Sequence, residues 1–307
     1  MFDGILPIYK ERGMTSHDVV FKARKILKMK KIGHSGTLDP EVDGVLLLLL
    51  GGATKVSDYA MDLGKSYRAE VCLGIKTTTE DLTGEILEER TVEGIDISEI
   101  KGILKTMVGE IEQTPPIYSA VKVNGRKLYE YARSGQFDVE IPSRKVNIYN
   151  IEFIDNSEYY KDGKFYFTID INCGKGTYVR TIATSIGEKL NIPSTMSKLT
   201  RTSSGKITID HCLKLADLEK CLKENTLEDK ILKKEYALEE YQFVEIPLFR
   251  AKQVMNGLRF RKNQFPDYDF SNGIVFTYNN EAIAIYCLKD KDDELLSVKT
   301  TFPKILE

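Results

Sequence analysis

The chain has 307 residues, 42% of them hydrophobic and 29% charged, the composition of an ordinary globular protein with room for one large domain or two. The apolar run Val45–Leu50 is six residues long, against the roughly 20 needed to span a bilayer. The N-terminus has no basic region followed by a long apolar core, so no signal peptide is read there and the cytoplasm is the expected location.

Five cysteines form an odd set without a CxxC pair, which speaks for reduced thiols rather than a disulfide framework. The three histidines do not cluster with them at metal-ligand spacing, so no zinc site is expected. The net charge of −2 taken alone argues against a nucleic-acid partner, but its distribution does not. Residues 8–34 carry eight Lys/Arg against two acids, residues 120–205 are also net basic, and residues 80–112 carry ten acids against three bases. A fold that gathers the basic segments on one face would attract a phosphate backbone, whereas the same charges spread over a solvated surface would need no partner.

In chain order, residues 16–29 read as a helix capped by Ser16, with Val19, Val20, Ala23, Ile26 and Leu27 on one face. The polar loop GHSGTLDPEVDG leads into Val45–Leu50, a strand expected to be buried on both faces. Residues 66–73 alternate as a second strand. Ser98 is the expected cap of a helix that points Ile100, Ile103, Leu104, Met107 and Val108 inward. IYSAVKV then reads as a strand, Asn124-Gly125 as a turn and RKLYEYARSG as a short helix closed by Gly135. Residues 165–173 alternate, and the turn GKG leads into a helix with Val179, Ile182, Ala183, Ile186 and Leu190 as its buried stripe. Residues 214–242 look like a surface helix and connector. The last 65 residues or so turn β-rich, with FVEIPL, GIVFTY and AIAIYCL, the last two joined by an Asn279-Asn280 hairpin. The expected fold class is α+β: a mixed, mainly antiparallel sheet flanked by helices, with a small β-rich C-terminal domain beginning near Tyr241.

Four side chains invite chemistry. Asp39-Pro40 alone is common turn chemistry. It gains weight from Gly33, Gly36 and Gly44, which let another chain approach the backbone, from His34 nearby, and from the strand that anchors the loop. Arg180 opens a helix against its dipole, so it calls for a partner. If that partner is Asp39, the carboxylate is held ionised with a lowered pKa. Tyr67 and Tyr178 interleave with basic residues, as rings that stack on unpaired bases do; each alone could equally be a core tyrosine.

The loop GHSGTLDP-EVDGVLLLLLGGATK closely resembles the catalytic-aspartate motif of the TruB-type tRNA pseudouridine synthases. KSYRAEVCLGIKTTTEDLTGE resembles the family's tyrosine strand, TPPIYSAVKVNGRKLYEYAR its bacterial RNA-gripping insertion, CGKGTYVRTIATSIGEKL its arginine motif and LTRTSSG its leucine motif. The motifs run in family order over roughly residues 4–210. One departure stands out: the family's first motif is usually Lys-Pro-x-Gly, and YKERGMTS keeps Lys10 and Gly13 but has Glu11 in place of proline.

The resemblance implies a pseudouridine synthase fold over residues 1–240, with the insertion at about 113–145, and a PUA-like RNA-binding domain over 241–307. It implies conversion of uridine to pseudouridine at position 55 in the T loop of tRNA, by base flipping, glycosidic cleavage and reattachment through C5. No cofactor, metal or guide RNA is implied, and a monomer is expected. The implied catalytic set is Asp39, Tyr67 and Arg180. His34, Tyr67, Tyr178, Leu199 and Lys10 are the implied substrate-binding set. Retaining glycosidases use two carboxylates; one is found here. A guide-dependent synthase and a non-catalytic RNA-binding or tRNA chaperone protein are the competing readings.

Overall fold

The computed structural model describes residues 2–290 and 292–302. Among them, an 11-stranded sheet forms the frame. Its main path runs through Leu213–Lys214, β1 (Gly4–Lys10), β3 (Asp43–Leu50), Ser194–Ser204, β4 (Lys65–Leu73), Lys164–Cys173, Arg144–Phe153 and Gly109–Gln113; the short strand β2 (Ile32–His34) pairs with β3. Most neighbours are antiparallel, while β3 meets Ser194–Ser204 in parallel through only Thr200↔Asp43 and Arg201↔Gly44. Gly44 permits that meeting. Its φ is +112°, and a Cβ there would stand 2.1 Å from the Arg201 carbonyl oxygen.

The leucine run is a doubly buried strand, as its composition predicts. Val45, Leu47 and Leu49 pack with Ile5, Val56 and Tyr59, and with Val275, Ala282, Ile285 and Phe302 from the C-terminal strands. Leu46, Leu48 and Leu50 pack under α1 (Ser16–Leu27) with Val19, Val20 and Ala23. At roughly 1.5–3 kcal/mol per buried side chain, this strand is a firm base for the loop before it. A third core lies between the other half of the sheet and the helices Ile97–Thr106 and Val179–Leu190.

Two caps differ from expectation. Thr15 caps α1 in a capping box with Asp18, and Asp96 caps Ile97–Thr106. Ser16 is buried instead, accepting from the Leu38 amide (2.8 Å) and donating to its carbonyl (3.2 Å), which ties α1 to the residue before Asp39. Val108 is about half exposed rather than inward. IYSAVKV is strand only at Lys122–Val123, because Pro115-Pro116 and the hydrogen bond that Arg180 donates to the Tyr118 carbonyl hold its first half irregular.

Gln242–Glu245, Ile274–Tyr278, Glu281–Leu288, Leu295–Thr301 and Phe260–Arg261 form a second sheet. Asn279 and Asn280 both have positive φ, as a type I′ hairpin turn requires. No described helix is long and apolar enough to cross a membrane.

Candidate active site

The loop between β2 and β3 is held from beneath. Leu38 and Val42 plug into the core on either side of Asp39. The Val42 amide donates to the Asp39 carbonyl (3.1 Å), closing a turn with proline in its second position. The turn reading of Asp39-Pro40 therefore describes its backbone, and leaves its side chain free for other work. Lys10 is fully buried. Its ammonium donates to the carbonyls of Glu11 (3.0 Å), Pro40 (3.1 Å) and Val42 (2.6 Å). All three donors are spent on backbone carbonyls, so these contacts make Lys10 a tie between the end of β1 and the Asp39 turn and lend no support to its expected place among the substrate-binding residues. Burial also lowers its pKa.

Arg180 lies in the first turn of Val179–Leu190 and is buried. Its Nη2 sits 3.1 Å from Asp39 Oδ2. Nη1 donates to the Thr79 carbonyl (2.9 Å) and Nη2 to that of Tyr118 (3.0 Å). One guanidinium thus joins the Asp39 loop, the loop after β4 and the start of the insertion, as a planar fork of five donors can. The acceptors also answer the dipole conflict that made the residue conspicuous in the sequence.

The start of that helix is fixed by Gln113, buried at the sheet edge. Its side chain accepts from the Tyr178 amide (2.7 Å) and donates to the Tyr178 carbonyl (3.0 Å). The Tyr178 ring faces the Arg144 guanidinium, 5.0 Å from the ring centre. Tyr67, partly buried on β4, packs against the same core as Leu199. Burial raises the pKa of its phenol; the charge of Asp39 also reaches it, and Arg201 partly offsets the shift. His34 closes β2 with its Nδ1 buried and without a hydrogen-bond partner. Burial, and then the Arg201 charge, lower its pKa, so at neutral pH it is an uncharged ring rather than a cation for phosphate.

Asp39 and Arg180 are thus in direct contact, Tyr67 lies within reach of the Asp39 charge, and Tyr178 and Leu199 belong to the elements that bound them. Three residues escaped the sequence reading: Gln113, Arg201 and Glu80. Glu80 brings a second carboxyl beside Arg180, where Thr181 donates to it (2.8 Å). Burial raises its pKa, with Thr181 and Arg180 offsetting part of the shift. Its lone signal was a run of threonines and acids, TTTED, which reads equally well as an ordinary turn.

The family model described as TruB family pseudouridylate synthase (N terminal domain) matches residues 24–179. A protein of Staphylococcus haemolyticus, tRNA pseudouridine synthase B, is 47% identical over 98% of this chain and 100% of its own. One of the same name from Staphylococcus saprophyticus is 49% identical over 96% of this chain and 97% of its own. Among solved structures, a Cbf5-Nop10-Gar1 complex aligns with a TM-score of 0.70 and 25% identity, covering 98% of this chain and 85% of that one. An H/ACA RNP bound to a substrate RNA containing 2'-deoxyuridine shares the fold at TM-score 0.70. With half of its length matched by the family model and nearly all of it by relatives at almost half identity, the chain belongs to the TruB family of pseudouridylate synthases.

Proposed function

We propose that this enzyme converts uridine to pseudouridine at position 55 in the T loop of tRNA, with Asp39 as its catalytic residue. The observation that carries the assignment of Asp39 is its contact with Arg180: a half-exposed carboxylate 3.1 Å from a buried guanidinium that two backbone carbonyls lock in place. The relatives' names supply the substrate, tRNA.

The target base must leave its stack, at a cost of roughly a few kcal/mol. Tyr67 lies under the flipped uracil, Tyr178 and Leu199 line the pocket and keep water out, and neutral His34 occupies space the nucleotide vacates. Asp39 acts at the sugar, either attacking C1′ or taking the C2′ proton to give a glycal. The C1′–N1 bond breaks and a C1′–C5 bond forms. The C5 proton is lost and N1 gains one, so substrate and product are isomers and no cofactor is consumed. Residues 241–307 act as a PUA-like RNA-binding domain, and the 113–145 insertion grips the T arm. The enzyme works in the cytoplasm as a monomer.

The structural likeness to the Cbf5-Nop10-Gar1 complex supports a second reading, dependence on accessory components. Tritium release from unmodified tRNA labelled at C5 of uridine, with purified enzyme alone, separates the two. Release without additions supports the stand-alone enzyme. Asp39→Asn is expected to abolish release while tRNA binding stays nearly intact, and normal turnover by that variant would remove Asp39 from the mechanism.

A further inference from the structure

Arg201 carries a charge that the proposed mechanism does not use. It is 1% exposed. Its Nε donates to the Val45 carbonyl (2.6 Å), its Nη2 is buried without a hydrogen-bond partner, and no ion pair joins it to a carboxylate among the described residues. A buried guanidinium without a counter-ion carries a large desolvation cost, which an apolar side chain of similar size would avoid.

The sheet register shows what the charge faces. Arg201 stands directly opposite Tyr67 across the antiparallel pair of Ser194–Ser204 with β4. Directly opposed residues leave a sheet on the same face, with Cβ atoms about 4.5–5.5 Å apart. The guanidinium is thereby placed beside the phenol, and its positive charge offsets part of the rise that burial imposes on the phenol pKa. Arginine has donors only. A phenol oxygen that accepts from a guanidinium must turn its own O–H away from it.

We propose that Arg201 is a positioning residue for Tyr67: it pins the phenol oxygen from within the sheet and aims the O–H into the substrate pocket. The proposal rests on the reading of Tyr67 as the residue beneath the flipped uracil. The same buried charge reaches His34, where it adds to the larger effect of burial in disfavouring the imidazolium.

The test is a double-mutant cycle in single-turnover assays with enzyme in excess, on Arg201→Met, Tyr67→Phe and the pair, with Arg201→Lys as the conservative variant. Arg201→Met is expected to slow the reaction by roughly ten- to a hundredfold at unchanged tRNA affinity, with partial recovery in Arg201→Lys. In the Tyr67→Phe background it should cost nothing more. An equal loss in both backgrounds overturns the proposal and leaves Arg201 as a strand tie through Val45. A Tyr67→Phe enzyme at full rate overturns instead the reading of Tyr67 on which the proposal rests. A measurement independent of turnover uses tyrosine labelled with 13C at Cζ. The Tyr67 resonance, identified by its loss in Tyr67→Phe, should move in Arg201→Met and Arg201→Lys, and an unmoved resonance in folded variants also overturns the proposal.

Discussion

Replacing Arg180 with alanine removes the cation that faces Asp39 across 3.1 Å. At an effective dielectric of about 20, a pair at that distance is worth about 5 kcal/mol. The Asp39 side chain is 45% exposed, so water screens part of this; about 2–3 kcal/mol of lost stabilisation is the working figure. At 1.36 kcal/mol per decade, the chemical step should slow by roughly 30- to 150-fold. The carbonyls of Thr79 and Tyr118 lose their donor as well, which loosens the loops that shape the pocket and pushes the loss toward the upper figure. Arg180→Lys keeps a charge but not the planar fork, and should recover only part of the rate. The assay is single-turnover pseudouridine formation with enzyme in excess, with tRNA affinity measured separately and thermal melts to confirm folding. Combined with Asp39→Asn, the alanine variant should add little, because the two residues act as a pair. A folded Arg180→Ala enzyme within about threefold of the wild-type rate would refute the reasoning.

Two further outcomes concern the frame beneath the site. Lys10→Met leaves the carbonyls of Pro40 and Val42 without their ammonium donor; a stability loss of about 2–4 kcal/mol is expected in urea unfolding, and an unchanged midpoint would show that the lysine is not the staple of the loop. Lys65 is buried, and its pKa is pushed down to about 8 by burial, with the Arg201 charge adding to the effect. Its folded pKa lies below the unfolded value of 10.5, so between these values the unfolded state binds more protons and stability rises with pH. From about pH 7.5 to about pH 9.5, wild type should gain about 2 kcal/mol relative to Lys65→Met in unfolding free energy; a flat difference would place the lysine's titration outside that window.

What the sequence made legible was whatever has a local signature. The leucine run, the stripe of α1 and the stripe after Arg180 all repeat at fixed intervals, and each forms the expected element. Strand Ser194–Ser204 was missed because its register shifts at Met196/Lys198 and again at Arg201/Ser203, so its alternation is broken twice. Strand β1 was missed for the opposite reason: it is buried along most of its length and shows no alternation. Gln113 and Arg201 have partners 65 and 156 residues away; Arg201 lies within the LTRTSSG segment, but no local periodicity or charge conflict singles out either side chain. Arg180 was visible because a cation in the first turn of a helix is a local conflict, and a conflict is itself a signal.

The Glu11 departure resolves in the same terms. In the family pattern a proline follows the first-motif lysine, and its loss put the shape of the site in question. All three acceptors of the Lys10 ammonium are main-chain carbonyls, one of them that of Glu11 itself. The Gly13 amide donates to the Pro40 carbonyl (3.0 Å), so the segment after β1 and the Asp39 turn are joined backbone to backbone. A carbonyl is supplied by any residue, proline or glutamate alike. What proline would add is a fixed φ, restricting the unfolded chain by roughly 0.4–1 kcal/mol. The glutamate forgoes that contribution and keeps the geometry, because Lys10, Ser16, Leu38 and Val42 already hold the turn from four directions. Asp39 is therefore placed between a fixed backbone beneath it and a fixed guanidinium beside it, the arrangement that its proposed action on a sugar carbon requires.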